Sequence, residues 1–270
     1  MLWGLNEQGQ PQAPAGRGND VILTIDSQIQ RKAAEVLNGK AGAMVVMDAQ
    51  TGAVLAMVST PYFDPNRILA QDYVSQLDQC NGAVTCRQAL FNRAAQGWYT
   101  PGSTWKTVTL IAALESGQVT PQTVFDFGTA LRDKQGHIYY VYTVDGFSIV
   151  DPNHVEQQLN LVRAYAVSAN AAFGRIGNEM SADVMIKTAN QLGFGRSPDG
   201  APPLEIDTSA PRLASDPQAL YTNNPLRAST AIGQGELQVS PLSMALLAAA
   251  VVNGGHIPAP HLVQAVNNAS

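Results

Sequence analysis

Ala43-Met44-Val45-Val46-Met47-Asp48, Ala49-Gln50-Thr51-Gly52 and Ala53-Val54-Leu55-Ala56-Met57-Val58 follow one another without interruption. Two apolar runs joined by a short polar turn ending in glycine are the pattern of a β-hairpin. Neither run alternates with polar residues, so the hairpin is expected to be covered on both faces, as a sheet between helical layers is. Upstream, Val21-Ile22-Leu23-Thr24-Ile25 is β-prone, and Ser27-Gln28-Ile29-Gln30 reads as a capping box opening an amphipathic helix. Ile29, Ala33, Val36 and Leu37 carry that helix's apolar face as far as Gly39. Downstream, residues 61–98 are irregular, and a helix is predicted from Ser103 to about Ser116, ended by Gly117. Residues 118–155 mix short β-prone pieces with turns. Helical patterns return at 155–167, 171–180 and 182–192, and Ser240-Pro241 opens a last helix through Val252 that Gly254-Gly255 stops. This order gives an α+β fold with an antiparallel sheet between helical layers, and it argues against a doubly wound parallel sheet.

The 270 residues are 45% hydrophobic and 14% charged, a globular composition with ample chain to bury a core. A formal net charge of -5 supplies no basic field for phosphate backbones, which excludes nucleic acid as the expected partner. The longest apolar stretch, Met244 to Val252, is well short of the roughly 20 residues a bilayer span requires. The first residues, Met1-Leu2-Trp3-Gly4-Leu5-Asn6-Glu7, lack the pattern of a secretory signal. Residues 1–20 read as a tail or linker and residues 21–270 as the ordered domain. Cys80 and Cys86 frame a loop that a disulfide could close outside the cytosol, and two free thiols fit the spacing equally well. His137, His154, His256 and His261 are scattered without metal-ligand spacing, and the acidic residues form no catalytic pair.

Chemistry concentrates in Thr100-Pro101-Gly102-Ser103-Thr104-Trp105-Lys106. With Ser103 opening a helix, Lys106 lies one turn on along nearly the same face. A serine hydroxyl is a weak nucleophile until a base takes its proton, and a lysine kept neutral by burial is such a base. The bland alternative is a capping serine beside a solvated lysine. Against it, Thr107-Val108-Thr109-Leu110-Ile111-Ala112-Ala113-Leu114 is apolar on most sides, so the first turn is carried inward and Lys106 is desolvated. Ser168-Ala169-Asn170 sits at a predicted helix break, where by itself it reads as a cap pair.

Taken together, Ser-x-x-Lys at a helix start followed by Ser-x-Asn resembles the penicillin-recognising serine acyltransferases. Gly42 to Asp48, Thr51 to Ser59 and Phe63-Asp64-Pro65-Asn66 are similar to the opening of a class B penicillin-binding protein transpeptidase domain. Asn92-Arg93-Ala94, Tyr99 to Ser103, Ala231-Ile232-Gly233-Gln234-Gly235 and Ser240 to Ala245 continue the likeness in the family's order. It spans about Val21 to Val263.

The resemblance implies the penicillin-binding protein and β-lactamase type of fold, with Ser103 as acylated nucleophile and Lys106 as general base. It implies that Ser168 relays a proton to the leaving amine and that Asn170 holds Lys106 and the substrate amide. The expected reaction attacks the D-Ala-D-Ala carbonyl of a peptidoglycan stem peptide and passes the acyl group to an amine of a neighbouring strand. Penicillins are expected to acylate Ser103 in place of that dipeptide. No metal or organic cofactor is implied, and the implied location is extracytoplasmic, with a membrane anchor outside this sequence.

One departure bears on activity. The family's third motif, Lys-Thr-Gly or Lys-Ser-Gly, is missing from the sequence, and Lys187-Thr188-Ala189 lies inside a helical pattern. The expectation is therefore a transpeptidase domain without its C-terminal strands, associated with a second polypeptide that carries them or with other cell-wall synthesis proteins. An exposed edge on the Ala43–Val58 hairpin is part of that expectation. Two alternatives stand beside it: a non-catalytic docking module, and a β-lactam sensor or hydrolase on the same fold. Glu156-Gln157-Gln158-Leu159-Asn160 spells the Glu-x-x-Leu-Asn of class A β-lactamases, but it precedes Ser168 where theirs follows, so Glu156 reads as a helix-start residue.

Overall fold

The structure, a computed structural model, describes residues 18–37, 40–68, 73, 89–194 and 202–267. Cys80 and Cys86 lie outside the described residues.

Strand β1 (Asp20–Leu23) leads into helix α1 (Ser27–Leu37), and the predicted hairpin forms from β2 (Gly42–Met47) and β3 (Val54–Thr60). The two strands pair antiparallel, with Ala43 opposite Ser59 and Val45 opposite Met57. Asp48 closes the turn, its Oδ1 accepting from the N–H groups of Gln50 and Thr51 at 3.0 and 2.8 Å. Both faces of the hairpin are covered, as the apolar runs require. Ala56 and Val58 pack with Ala33 and Ile29 of α1. Met57 and Ser59 point the other way, where Asn92 and the Arg93 backbone of the short helix α2 (Arg93–Gln96) reach them at 3.5 and 3.0 Å.

The start of α1 differs from the expected capping box. Asp26 supplies the cap, its Oδ1 accepting from Gln28 and Ile29 N–H at 2.8 and 3.0 Å. Gln30 instead clamps β3, donating to Met57 O at 2.9 Å and accepting from Met57 N at 2.8 Å. A carboxylate one residue earlier reaches orphan N–H groups of the first turn and adds charge that the helix dipole favours. Asp26→Ala is expected to cost about 1 kcal/mol, read as a lowered denaturant midpoint with an unchanged slope.

Helix α3 (Lys106–Glu115) follows a 3₁₀ turn at Gly102–Trp105. Strands β4 (Val124–Asp126), β5 (Leu131–Arg132), β6 (Ile138–Val144) and β7 (Phe147–Asp151) come next. The predicted helix at 155–167 is corrected in its first half. Gln158–Asn160 is strand β8, paired with β4, and only Leu161–Ala166 is helical (α4), capped by Asn160 accepting from Arg163 N at 2.8 Å. Propensity gave way to pairing there, because Leu159 is buried beside Phe125 in the core. Glu156 is not a helix-start residue; it pairs with Arg163 at 3.0 Å.

Helices α5 (Asn170–Glu179), α6 (Ala182–Gln191), α7 (Ala219–Thr222), α8 (Asn224–Ala231) and α9 (Pro241–Val252) follow. Ser240 caps α9 as read from the sequence, accepting from Ser243 N at 3.1 Å. The main core gathers Trp105, Phe173, Phe194, Leu161 and Ile176, with Trp105 and Phe194 edge to face at 4.8 Å. The chain returns as β9 (Val263–Asn267), antiparallel to β1, and Val54 N donates to His261 O at 3.0 Å, which ties that pair to the hairpin. Sequence reading gave no strand at 263–267. Among the described residues β2 is hydrogen-bonded to one strand only, β3.

Candidate active site

Burial and local geometry put one amine at the centre of the site. Lys106, at the first position of α3, is 1% exposed. Its apolar helix carries it into the core beside Trp105 and Val108, as the sequence pattern required. The preceding turn is 3₁₀, which places residues three apart directly over one another. Lys106 Nζ consequently lies 3.2 Å from Ser103 Oγ.

Ser168-Ala169-Asn170 comes to the same amine from more than sixty residues away. Nζ is 2.7 Å from Ser168 O, 2.9 Å from Ser168 Oγ and 2.6 Å from Asn170 Oδ1. The cap reading of this element is overturned. The N-cap position of α5 is Ala169, with no side-chain cap, and the Ala171 N–H is taken by Asp151 Oδ2 at 2.7 Å. Ser168 adopts φ 59°, a left-handed backbone uncommon outside glycine. Its carbonyl is held there from two sides, by Lys106 and by Asn153 Nδ2 at 2.7 Å.

Four oxygens surround one amine. Two of them, Ser168 O and Asn170 Oδ1, can only accept. A neutral amine that donates its two hydrogens to those carbonyls keeps its lone pair for a serine hydroxyl. Burial pushes the Lys106 ammonium down to about 8, an effect that the Asp151 carboxylate partly opposes. The site opens into a cleft of about 680 Å³ whose floor holds Ser103, Lys106 and Ser168 and whose wall is built by Tyr165, Met244 and Leu247. No group of three or more His, Cys, Asp or Glu able to hold a metal occurs among the described residues.

Sequence reading missed three residues of this neighbourhood. Asn153 holds Ser168 O, Asp151 holds Ala171 N–H and His154 stands beside Asp151, yet Asp151-Pro152-Asn153-His154 has no periodicity and no catalytic spacing, and His154 looked like one of four scattered histidines. Gly233 was noted only as part of a matching string. Its carbonyl accepts from Gly102 N at 2.9 Å and so holds the nucleophile turn.

An α+β chain with antiparallel strands, whose buried lysine joins a helix-start serine to a distant Ser-x-Asn turn, defines a serine–lysine class of site. Residues 42–269 match the penicillin-binding protein transpeptidase domain, and the chain belongs to that family, in its class B branch. It is 30% identical over 277 residues to the peptidoglycan D,D-transpeptidase MrdA of Acinetobacter baumannii, covering 94% of this chain and 36% of that protein. To the peptidoglycan D,D-transpeptidase PbpA of Mycolicibacterium smegmatis it is 31% identical, with 93% of this chain and 49% of the relative covered. Among solved structures, the ceftriaxone acyl-enzyme complex of penicillin-binding protein A from M. tuberculosis superposes with a TM-score of 0.78 at 26% identity, over 97% of this chain and 56% of that one. The chain therefore spans about a third to a half of the curated relatives it matches.

Proposed function

We propose that the cleft carries out the acyl transfer of a peptidoglycan D,D-transpeptidase through a covalent intermediate on Ser103. The observation that carries this reading is the amine of Lys106, buried, held by two obligate acceptors and 3.2 Å from the Ser103 hydroxyl. In the forward step Lys106 takes the Ser103 proton while Oγ bonds to the carbonyl carbon of the penultimate D-Ala of a stem peptide. The N–H of Ser103, at the start of the 102–105 turn, would meet the developing oxyanion. Collapse breaks the C–N bond, and the proton passes through Ser168 to the departing D-Ala amine. An amine of a second stem peptide then attacks the ester, its proton returns along the same path, and Ser103 Oγ–H is restored. Asn170 orients Lys106 through Oδ1 and is anchored by Nδ2 to Val150 O at 3.1 Å.

β-Lactams would open on the same oxygen, consistent with acyl-enzyme complexes of ceftriaxone and penicillin G in the M. tuberculosis neighbour. The setting of such chemistry is outside the cytoplasm. No described helix is long and apolar enough to cross a membrane, so anchoring would fall to another segment of the whole protein. A Lys-Thr-Gly strand, from residues beyond Ser270 or from a second polypeptide of the cell-wall machinery, would complete the open side of the cleft.

Intact mass after incubation with penicillin G is expected to show one added drug mass, and tryptic mapping should place it on the peptide Ala94–Lys106, in which Ser103 is the single serine. A folded protein that takes up no drug, or takes it up elsewhere, overturns the reading.

A further inference from the structure

Behind the Ser168 turn lies a buried pair that this reaction scheme leaves unused. The side chains of Asp151, at the end of β7, and His154 are both 0% exposed, and His154 Nε2 stands 3.4 Å from Asp151 Oδ2. His154 Nδ1 is 2.9 Å from Glu156 O. A carbonyl can only accept, so Nδ1 carries hydrogen. Nε2 has no hydrogen-bond partner, and its polar neighbour is the carboxylate. A neutral ring would thus leave a bare lone pair beside a buried anion, an arrangement that costs energy with nothing to offset it.

A proton on Nε2 removes that conflict. Asp151 accepts from Ala171 N at 2.7 Å and from Asn153 N at 3.3 Å, so both of its contacts use it as an acceptor. The imidazole is stacked on Tyr140 at 5.0 Å and 15°, with Phe127 at 4.5 Å, and aromatic faces favour a cation. The remaining titratable groups around the pair are accounted for. Tyr140 donates its hydroxyl to Val155 O at 3.0 Å, the Glu156 carboxylate is bonded to Arg163, and Lys106 on α3 is electrostatically coupled to Asp151.

We propose that Asp151 and His154 form a buried carboxylate–imidazolium pair that serves as a positioning unit for Lys106. Asp151 fixes the Ala171 N–H in the first turn of α5, one residue from the Asn170 side chain that holds the amine. The neighbouring Asn153 fixes Ser168 O. His154 supplies a charge that offsets part of the pull of Asp151 on the Lys106 proton, so the amine stays available as a base. Without that cation, Asp151 would hold the ammonium form and close the lone pair to the serine hydroxyl. The catalytic meaning of this arrangement rests on the reading of Lys106 as the base, while the electrostatic coupling itself does not.

Titration of Lys106 followed by NMR on protein carrying ¹³Cε-labelled lysine tests the coupling directly, whether or not Ser103 is acylated. In His154→Gln the Lys106 midpoint should rise by about one pH unit; in Asp151→Asn, whose amide oxygen still accepts from Ala171 N, it should fall by about as much. A general loosening of the site would move both variants the same way. A Lys106 midpoint in His154→Gln at or below the wild-type position overturns the proposal. The ¹⁵N spectrum of wild-type His154 gives a check that needs no variant: hydrogen on both ring nitrogens is expected, and a bare Nε2 overturns the pair. Penicillin G labelling of the same wild-type sample reports separately on the proposed reaction, so failure of one reading is distinguishable from failure of the other.

Discussion

Acylation of Ser103 by a fluorescent penicillin is expected to fall about a thousandfold or more in Lys106→Arg, within the range lost when a general base is removed. The substitution keeps a cation at the position and removes only the ability to give up a proton, since a guanidinium stays protonated in proteins. In the wild type the amine is desolvated in the core and its proton is held down to about 8. At pH 7 about a tenth of it is then neutral, and the acylation rate should climb through pH 8 and level off above it. The sign follows from the base being the deprotonated form. Single-turnover acylation rates from pH 6 to 9.5, with a melting curve for each protein, check both statements. An arginine variant acylated at close to the wild-type rate would assign proton removal to another group. A wild-type rate flat across pH 8 would separate Lys106 from the rate-limiting step.

Gly233→Ala is expected to cost about 3 kcal/mol and to remove most acylation with it. Gly233 has φ +79°, a conformation that already disfavours a side chain. A Cβ built there would sit 1.8 Å from Gly102 O and 2.9 Å from Trp105 Cβ. Neither neighbour is a flexible side-chain end. One belongs to the turn that presents Ser103, and the other to a tryptophan that is 1% exposed. Relief therefore requires the 102–105 turn to move away from the loop after α8, breaking the 2.9 Å bond from Gly102 N to Gly233 O. Chemical denaturation and labelling measured on the same preparation would test this. A variant as stable and as rapidly labelled as wild type would show that the loop carries no such constraint.

Much of the fold was open to a reader of the sequence because local chemistry and burial agree there. The hairpin follows from two uninterrupted apolar runs about Asp48 and Gly52. The helix behind Lys106 follows from its apolar stripe, and α9 from Ser240 before Pro241. Reading failed where a residue's partner lies far along the chain. Gln158–Asn160 is a strand because Val124–Asp126 pairs with it, and Val263–Asn267 because Asp20–Leu23 does. Nothing within those segments announces either pairing. Gln30 is similar: its spacing from Ser27 suited a capping box, but the Met57 backbone lay within reach of both ends of its amide.

The site divides along the same line. Ser103 and Lys106 are three residues apart, so the geometry of one helical turn determines their contact, and the sequence alone was sufficient to pair them. It also sufficed to predict burial of the amine, because the helix around it is apolar. Ser168 and Asn170 could be linked to that pair only by resemblance, since by local chemistry they were a helix cap. The tertiary structure decided otherwise by supplying Asp151 as the acceptor for Ala171 N–H, which left both side chains free to meet Lys106. Asn153, His154 and Gly233 were decided by the tertiary structure as well. Each acts through one hydrogen bond, ring contact or close approach to a segment distant in sequence, and such contacts leave no periodic trace in the chain.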